Sequence, residues 1–310
     1  MFEGKELIVV TGKGGVGRTT VSTAIGLAAT EVNATGVVCE VAEQGVIPQL
    51  MEAGKPDRNG LTPLTANLWA ATIDPDETLR AWIRSQFGPA IARTLGSSKS
   101  FSQLIAAAPG TAELLSLIKA WEMGPGRGFG KKTTDHDTVV LDAPASGHGV
   151  AMLKSPRTFA DIAAGGPIRK QAERVWDLLR DEERCAIVAV ALPAELPVTE
   201  TIELDEWTRE VLGRGLDLVI ANRCEPESFS QAELKKLDGL AKSGSLPENA
   251  VALARAASER ASDQATLLKT LADGVDCPVV ELKAEPADVR PKDLAYSLSR
   301  EILAVEAQSA

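Results

Sequence analysis

The sequence contains few of the residues that characterise disulfide-bonded, metal-binding or membrane-spanning proteins. No apolar run reaches the roughly 18 residues of a membrane span. Two residues are histidines and four are cysteines, and no two cysteines have the close spacing of a zinc knuckle or a redox pair. We therefore expect reduced, buried thiols, no integral membrane segment and a core that needs neither disulfides nor a structural metal.

Positive charge is also scarce in this chain. Its 33 lysines and arginines are outnumbered by 43 aspartates and glutamates, so the formal net charge is -10. The summed field repels phosphate backbones and anionic lipid, which disfavours sequence-independent binding to nucleic acid. The amino-terminal residues lack the basic start and long apolar stretch of a secretory signal. These features predict a cytoplasmic protein with no nucleic-acid partner.

Short apolar runs alternate with helical patterns along the chain. Because several runs are apolar without a break, they are typical of buried parallel strands, predicted over 7–11, 37–41, 68–73, 139–141, 186–192, 216–221 and 278–282. Helices are predicted over 20–29, 159–180, 199–212, 231–240 and 249–271. This alternation predicts an α/β fold with a doubly wound, mainly parallel sheet.

The longest interval without a predicted strand is 76–137. It contains helical patterns around 79–87 and 112–122 and returns through a glycine-rich stretch at 124–134. Such an interval is too long for a simple crossover between strands. We therefore predict that 1–310 form a single domain and that 76–137 form a mostly helical lobe inserted into it.

A glycine-rich segment lies between the first predicted strand and the first predicted helix. Its residues are Gly12, Lys13, Gly14, Gly15, Val16, Gly17, Arg18, Thr19 and Thr20. Glycines allow successive backbone N–H groups to turn inward, and the helix N-terminus adds positive potential toward phosphates. The segment is therefore predicted to be the P-loop of a P-loop NTPase, binding ATP, with the Thr19 hydroxyl in the shell of a Mg²⁺ ion.

Two charged residues complete the predicted phosphate site. Asp142 ends an apolar strand and is expected to hold Mg²⁺ through water, with a helix or turn cap as the alternative. Arg18 stands where P-loops usually carry lysine, and a planar guanidinium does not replace a compact ammonium between phosphates. ATP binding is expected to survive this change, whereas the rate of hydrolysis is left open.

At these residues the chain resembles the arsenite-pump ATPase family, which includes the ATPases that target tail-anchored membrane proteins. The loop 12–17 is similar to the family's deviant Walker A loop, and Asp-Ala-Pro-Ala-Ser-Gly-His at 142–148 is similar to its switch II motif. The resemblance implies that Lys13 reaches the phosphates of a partner subunit, that Arg18 contacts phosphate and that Asn222 contacts adenine. It also implies a homodimer or a heterodimer with a paralogous ATPase, with a protein client as one candidate substrate.

The sequence departs from the family after the second strand. The family has Asp-Pro-Ala there, whose aspartate positions the attacking water, but this chain reads Cys-Glu-Val-Ala-Glu-Gln-Gly over 39–45. Glu43 is the candidate replacement, together with Glu40, and solvated glutamates near a strand end are the alternative. The zinc-binding cysteine pair and the methionine-rich lobe of targeting members also have no counterpart, so client identity does not transfer.

Three functions are compatible with these motifs. The first is a Mg²⁺-dependent ATPase of this family that couples ATP binding and hydrolysis to closure of a dimer. The second is a hydrolysis-impaired ATP-binding subunit of a heterodimer, which Arg18 and the missing aspartate favour. The third, less favoured, is a partitioning or division-site ATPase, which needs a basic face or an amphipathic membrane helix near the carboxyl terminus.

Overall fold

The computed structural model describes residues 1–41, 45–82, 84, 110–125, 136–144, 149–162, 165–226, 229–286 and 288–309. Eight strands in these ranges form one sheet in the order β3-β4-β2-β5-β1-β6-β7-β8. Their bounds are β1 (Leu7–Gly12), β2 (Gly36–Val41), β3 (Leu61–Pro63), β4 (Leu68–Ile73), β5 (Thr138–Asp142), β6 (Cys185–Ala191), β7 (Leu218–Cys224) and β8 (Val279–Lys283). All neighbours are parallel except β3 and β4. The predicted doubly wound α/β fold is confirmed.

Helices cover both faces of this sheet. Their bounds are α1 (Arg18–Val32), α2 (Ile47–Leu50), α3 (Thr111–Glu122), α4 (Gly149–Ile162), α5 (Gly166–Arg180), α6 (Glu195–Leu212), α7 (Gln231–Lys242), α8 (Glu248–Gly274) and α9 (Pro291–Ser309). Side chains alternate along β1, so that Ile8 and Val10 pack toward α1 and α9, while Leu7 and Val9 pack toward α3–α6. Within the described ranges, no helix combines the length and the apolar character needed to cross a bilayer.

One predicted helix is divided in the structure. Instead of a single helix over 159–180, α4 begins earlier, at Gly149, and ends at Ile162, and α5 begins at Gly166. Gly165 and Gly166, where α5 begins, have φ of 155° and 87°. These values lie in a region that glycine adopts readily and that a continuous α-helix does not contain. Pro156 lies inside α4. Because proline is disfavoured in the interior of a helix, local propensity predicts that the helix starts after it.

The interval 76–137 is described only in part. A helix begins at residue 75 and runs to the edge of the described range, and α3 follows at Thr111. Leu117 and Ile118 of α3 are buried in the core cluster on one face of the sheet. The indole N–H of Trp121 donates to the carboxylate of Glu6 at 3.0 Å. The lobe itself stays a prediction, because most of it lies outside the described residues.

Candidate nucleotide site

The glycine-rich segment forms a tight loop over the N-terminus of α1, at the carboxyl edge of the sheet. Gly15 and Gly17 have φ of 82° and 84°, in the left-handed region that favours glycine. A Cβ atom on Gly17 would lie 2.5 Å from Nδ2 of Asn222, and one on Gly12 would lie 2.4 Å from the carbonyl oxygen of Val190. The glycines therefore provide close approach as well as a turn toward the helix N-terminus, where phosphates bind.

Arg18 points inward and joins the loop to two strands. Its Nε donates to Oδ1 of Asp142 at 2.7 Å, and its Nη1 donates to the carbonyl oxygen of Gly12 at 2.8 Å. The side chain is only 9% exposed. The guanidinium that sequence reasoning assigned to phosphate is thus engaged, through two of its three nitrogens, with protein atoms.

Asp142 brings the predicted metal ligands together at the end of β5. Its Oδ2 accepts from the Thr19 hydroxyl at 2.6 Å, and its Oδ1 accepts from Ser22 at 3.2 Å as well as from Arg18. Ser22 was missed in the sequence, although its spacing of three from Thr19 puts both on one face of a helix. Hydroxyl and carboxylate oxygens are the ligands that Mg²⁺ prefers, so these residues fit the predicted ion.

Lys13 is held within its own chain. Its Nζ lies 2.9 Å from Oε1 of Glu200 in α6, with the two side chains 53% and 25% exposed. The pair stands beside a cavity of about 350 Å³ between the loop, β6, α4 and α6, whose apolar lining includes Val150, Leu204 and Trp207. The family resemblance implies that Lys13 contacts the phosphates of a partner subunit. In this structure it is exposed at the loop but paired with a carboxylate of its own chain.

Asn222 of β7 supports the loop from the side. Its Nδ2 donates to the carbonyl oxygen of Val16 at 2.8 Å, and its Oδ1 accepts from the backbone N–H of Arg223 at 3.0 Å. Asn222 is 5% exposed. The structure thus brings the residue predicted to contact adenine to the loop, with its side-chain amide engaged in bracing it.

Glu40 of β2 is neither solvated nor free. It is 5% exposed, and its carboxylate accepts from the backbone N–H groups of Val46 at 3.0 Å and Ile47 at 2.9 Å, which caps α2. The pKa of this carboxyl is raised above its ordinary value, because the effect of burial outweighs that of the two hydrogen bonds from Ile47 and Val46, which lower it. The charge of Asp142 also raises it. The alternative of a solvated glutamate is wrong for Glu40. Glu43 lies outside the described residues.

Comparison with known proteins identifies the family. The family model for anion-transporting ATPases matches residues 5–164. ATPase BagA of Mycobacterium tuberculosis is 30% identical over 244 residues, which cover 76% of this chain and 70% of that protein. The chain belongs to the anion-transporting ATPase family.

More distant members of the family also match. A Halobacterium salinarum protein described as an arsenical pump-driving ATPase is 25% identical over 232 residues, covering 71% of this chain and 35% of that protein. ATPase GET3A of Arabidopsis thaliana is 26% identical over 158 residues, covering 51% of this chain and 40% of that protein. The resemblance found from the motifs is confirmed, and the chain is a nucleotide-binding P-loop ATPase.

Proposed function

We propose that this ATPase binds Mg²⁺-ATP at the loop 12–20 and couples binding and hydrolysis to closure of a dimer and to handling of a partner or client protein. The observation that supports it best is the 2.6 Å contact between the Thr19 hydroxyl and Asp142, directly beside a glycine loop at the N-terminus of α1. A hydroxyl and a carboxylate fixed next to a phosphate cradle are the donor set that a P-loop offers to magnesium.

Each part of the site has a distinct task in this proposal. The backbone of Gly14, Gly15 and Gly17 cradles the phosphates, and the N-terminus of α1 adds positive potential. Thr19 and Asp142 hold Mg²⁺, which when bound neutralises charge on the phosphate oxygens.

Two contacts lie away from the metal. Lys13, exposed at the mouth of the loop, is assigned to the phosphates of a partner subunit. Asn222 holds the loop in place through its hydrogen bond to Val16 and lies on the side where the adenine is expected.

Titration of nucleotide with and without Mg²⁺ tests the metal assignment. In Asp142→Asn, the carboxylate charge is lost while the loop backbone stays, so we expect the gain in ATP affinity from Mg²⁺ to shrink more than the affinity for metal-free ATP. Equal losses in both titrations would make Asp142 a structural residue. Failure of the unmodified chain to bind ATP at all would reject the proposal.

A heterodimer subunit with impaired hydrolysis is the second candidate, and one specific observation favours it. Arg18 is tied to Asp142 and Gly12 rather than free at the phosphate side of the loop. If hydrolysis is impaired for this reason and because the aspartate after β2 is missing, Arg18→Lys alone should not raise turnover. Arg18→Lys combined with Ala42→Asp should raise it, because Ala42, which lies outside the described residues, is the position where we place the lost aspartate. Ready hydrolysis by the unmodified chain would eliminate this candidate.

The partitioning or division-site alternative finds no support at the carboxyl terminus. Ala295, Leu298 and Ile302 of α9 are buried, and they join the core cluster that α1 forms against the sheet. The apolar side of α9 is therefore used for packing, and a membrane-binding helix needs that side for lipid.

A further inference from the structure

Arg223 has an unusual backbone conformation at the end of β7. Its φ is 59°, and among the described residues Glu52 is the other non-glycine residue with positive φ. The pairing of β7 with β8 shifts register between Ala221 and Cys224, so Arg223 sits in a bulge. For a long side chain this region is disfavoured by contact between Cβ and the backbone, and such residues concentrate at functional sites.

The bulge brings the Arg223 side chain to the nucleotide loop. Its Nη2 lies 4.0 Å from the position that a Cβ atom on Gly17 would occupy. The residue is held there through its backbone, because its N–H donates to Asn222, whose amide in turn donates to Val16 of the loop. Without the bulge, alternation along β7 would direct this side chain differently.

Arg223 differs from the other cations of the loop in having no counter-ion among the described residues. The guanidinium of Arg18 is paired with Asp142 and is 9% exposed, and the ammonium of Lys13 is paired with Glu200. Arg223 is exposed, and no carboxylate of the described ranges forms an ion pair with it. It is thus a cation available to an anionic ligand.

We propose that Arg223 is a nucleotide-binding residue whose guanidinium contacts the phosphates of ATP. It supplies to the phosphates the positive charge that Arg18 does not, because Arg18 is paired with Asp142. The inference rests on the nucleotide site proposed above. Gly17 is both the last glycine of the loop and the residue that caps α1, so an anion bound at this helix N-terminus lies within reach of Arg223. A guanidinium fork matches phosphate oxygens in pairs.

Arg223→Gly separates the charge from the backbone. Glycine adopts positive φ without strain, so the bulge is kept while the guanidinium is removed. We expect the affinities for ATP and for inorganic tripolyphosphate both to fall about tenfold or more, as for loss of a charge-assisted hydrogen bond. Both are measured by displacement of a fluorescent ATP analogue, and Arg223→Lys should recover part of the loss.

Glu52→Gly is the matched control. It relieves the same kind of backbone conformation, with φ of 53°, at a residue whose ion-pair partners are Arg290, just before α9, and Lys292, in its first turn. Affinity for both ligands should be unchanged in this variant, so that a loss in Arg223→Gly reports the guanidinium and not the relaxed backbone.

The outcomes separate the inference from the proposal beneath it. Unchanged affinity in Arg223→Gly overturns the inference while leaving the nucleotide site intact. A loss of affinity for ATP with no loss of affinity for tripolyphosphate overturns the phosphate contact and assigns Arg223 to the base or sugar. Failure of tripolyphosphate to bind the wild-type chain also overturns the phosphate contact. A wild-type chain that binds no ATP instead rejects the nucleotide site itself.

Discussion

Arg18 and Asp142 form a buried ion pair between the first turn of α1 and the end of β5. Nε lies 2.7 Å from Oδ1, and the two side chains are 9% and 6% exposed. A lysine has a single charged head, whereas the guanidinium contacts the carboxylate and also the carbonyl oxygen of Gly12. Arg18 therefore contributes to the structure of the site as well as to its charge.

Removal of Arg18 is expected to destabilise the fold. Among the described residues, Arg18→Ala leaves the buried Asp142 carboxylate with the Thr19 and Ser22 hydroxyls as its side-chain partners, and breaking one side of a buried pair costs about 3 kcal/mol. Asp142→Asn added to Arg18→Ala should recover part of this loss, because no uncompensated charge remains. Urea unfolding of the two single variants and the double variant gives the coupling energy. Strictly additive effects would show that the pair is not coupled.

Sequence reasoning succeeded where short-range rules decide the structure. The strand over 68–73 has the predicted bounds, and the segment 12–20 runs from the last residue of β1 into the first turn of α1, as its glycines require. The short edge strand β3 was missed, because three residues that include Pro63 carry almost no strand signal.

At the nucleotide site, the wrong or incomplete expectations concern the contacts of side chains. Whether Arg18 points to phosphate or to Asp142 depends on β5, which is more than a hundred residues away in the chain. The burial of Glu40 likewise depends on the return of the chain at Val46 and Ile47. Local patterns therefore predict which residues gather at the carboxyl edge of the sheet, while the contacts among them are set by tertiary packing.

A matched pair of glycines tests the phosphate cradle. Gly15 and Gly4 have φ of 82° and 72°, and a Cβ atom on either would meet no other atom within 4 Å. Alanine at either position should cost about 1 kcal/mol of stability from the backbone alone. Only Gly15→Ala should also reduce the rise in melting temperature on addition of Mg²⁺-ATP, because its methyl group would face the phosphates. An equal rise in both variants would argue against the loop as the cradle.

The buried cysteines predict a dependence of stability on alkaline pH. Burial raises the pKa of Cys39, Cys185 and Cys224 from 9.0 to about 12. Since the folded state disfavours the thiolate, the stabilisation is complete below pH 9 and is lost as pH rises from about 9 to about 12. Native protein should react slowly with a thiol reagent at pH 8, where the unfolded chain reacts quickly. Cys277 is only partly buried, so rapid labelling of more than one thiol per native chain would contradict this burial.

The ion pair between Lys13 and Glu200 is expected to matter for association and hardly at all for folding. An exposed pair of this kind contributes about 0–1 kcal/mol, so Glu200→Gln should change the free energy of unfolding by less than about 1 kcal/mol. In the proposed dimer, Lys13 has to leave Glu200 before it contacts a partner's phosphates. Loss of the competing carboxylate should then tighten Mg²⁺-ATP-dependent association by up to about fivefold, which is the equivalent of 1 kcal/mol.

Sedimentation with and without Mg²⁺-ATP measures that change, and the same helix offers the control. Glu203 is exposed and lines the same cavity one turn further along α6, but within the described ranges it forms no ion pair with Lys13. Glu203→Gln removes an equal charge, so it corrects for the general reduction of repulsion between two acidic chains. Tighter association in Glu200→Gln alone supports release of Lys13 as a step of dimer closure. Equal tightening in both variants would assign the effect to net charge, and weaker association in Glu200→Gln would make Glu200 part of the interface itself.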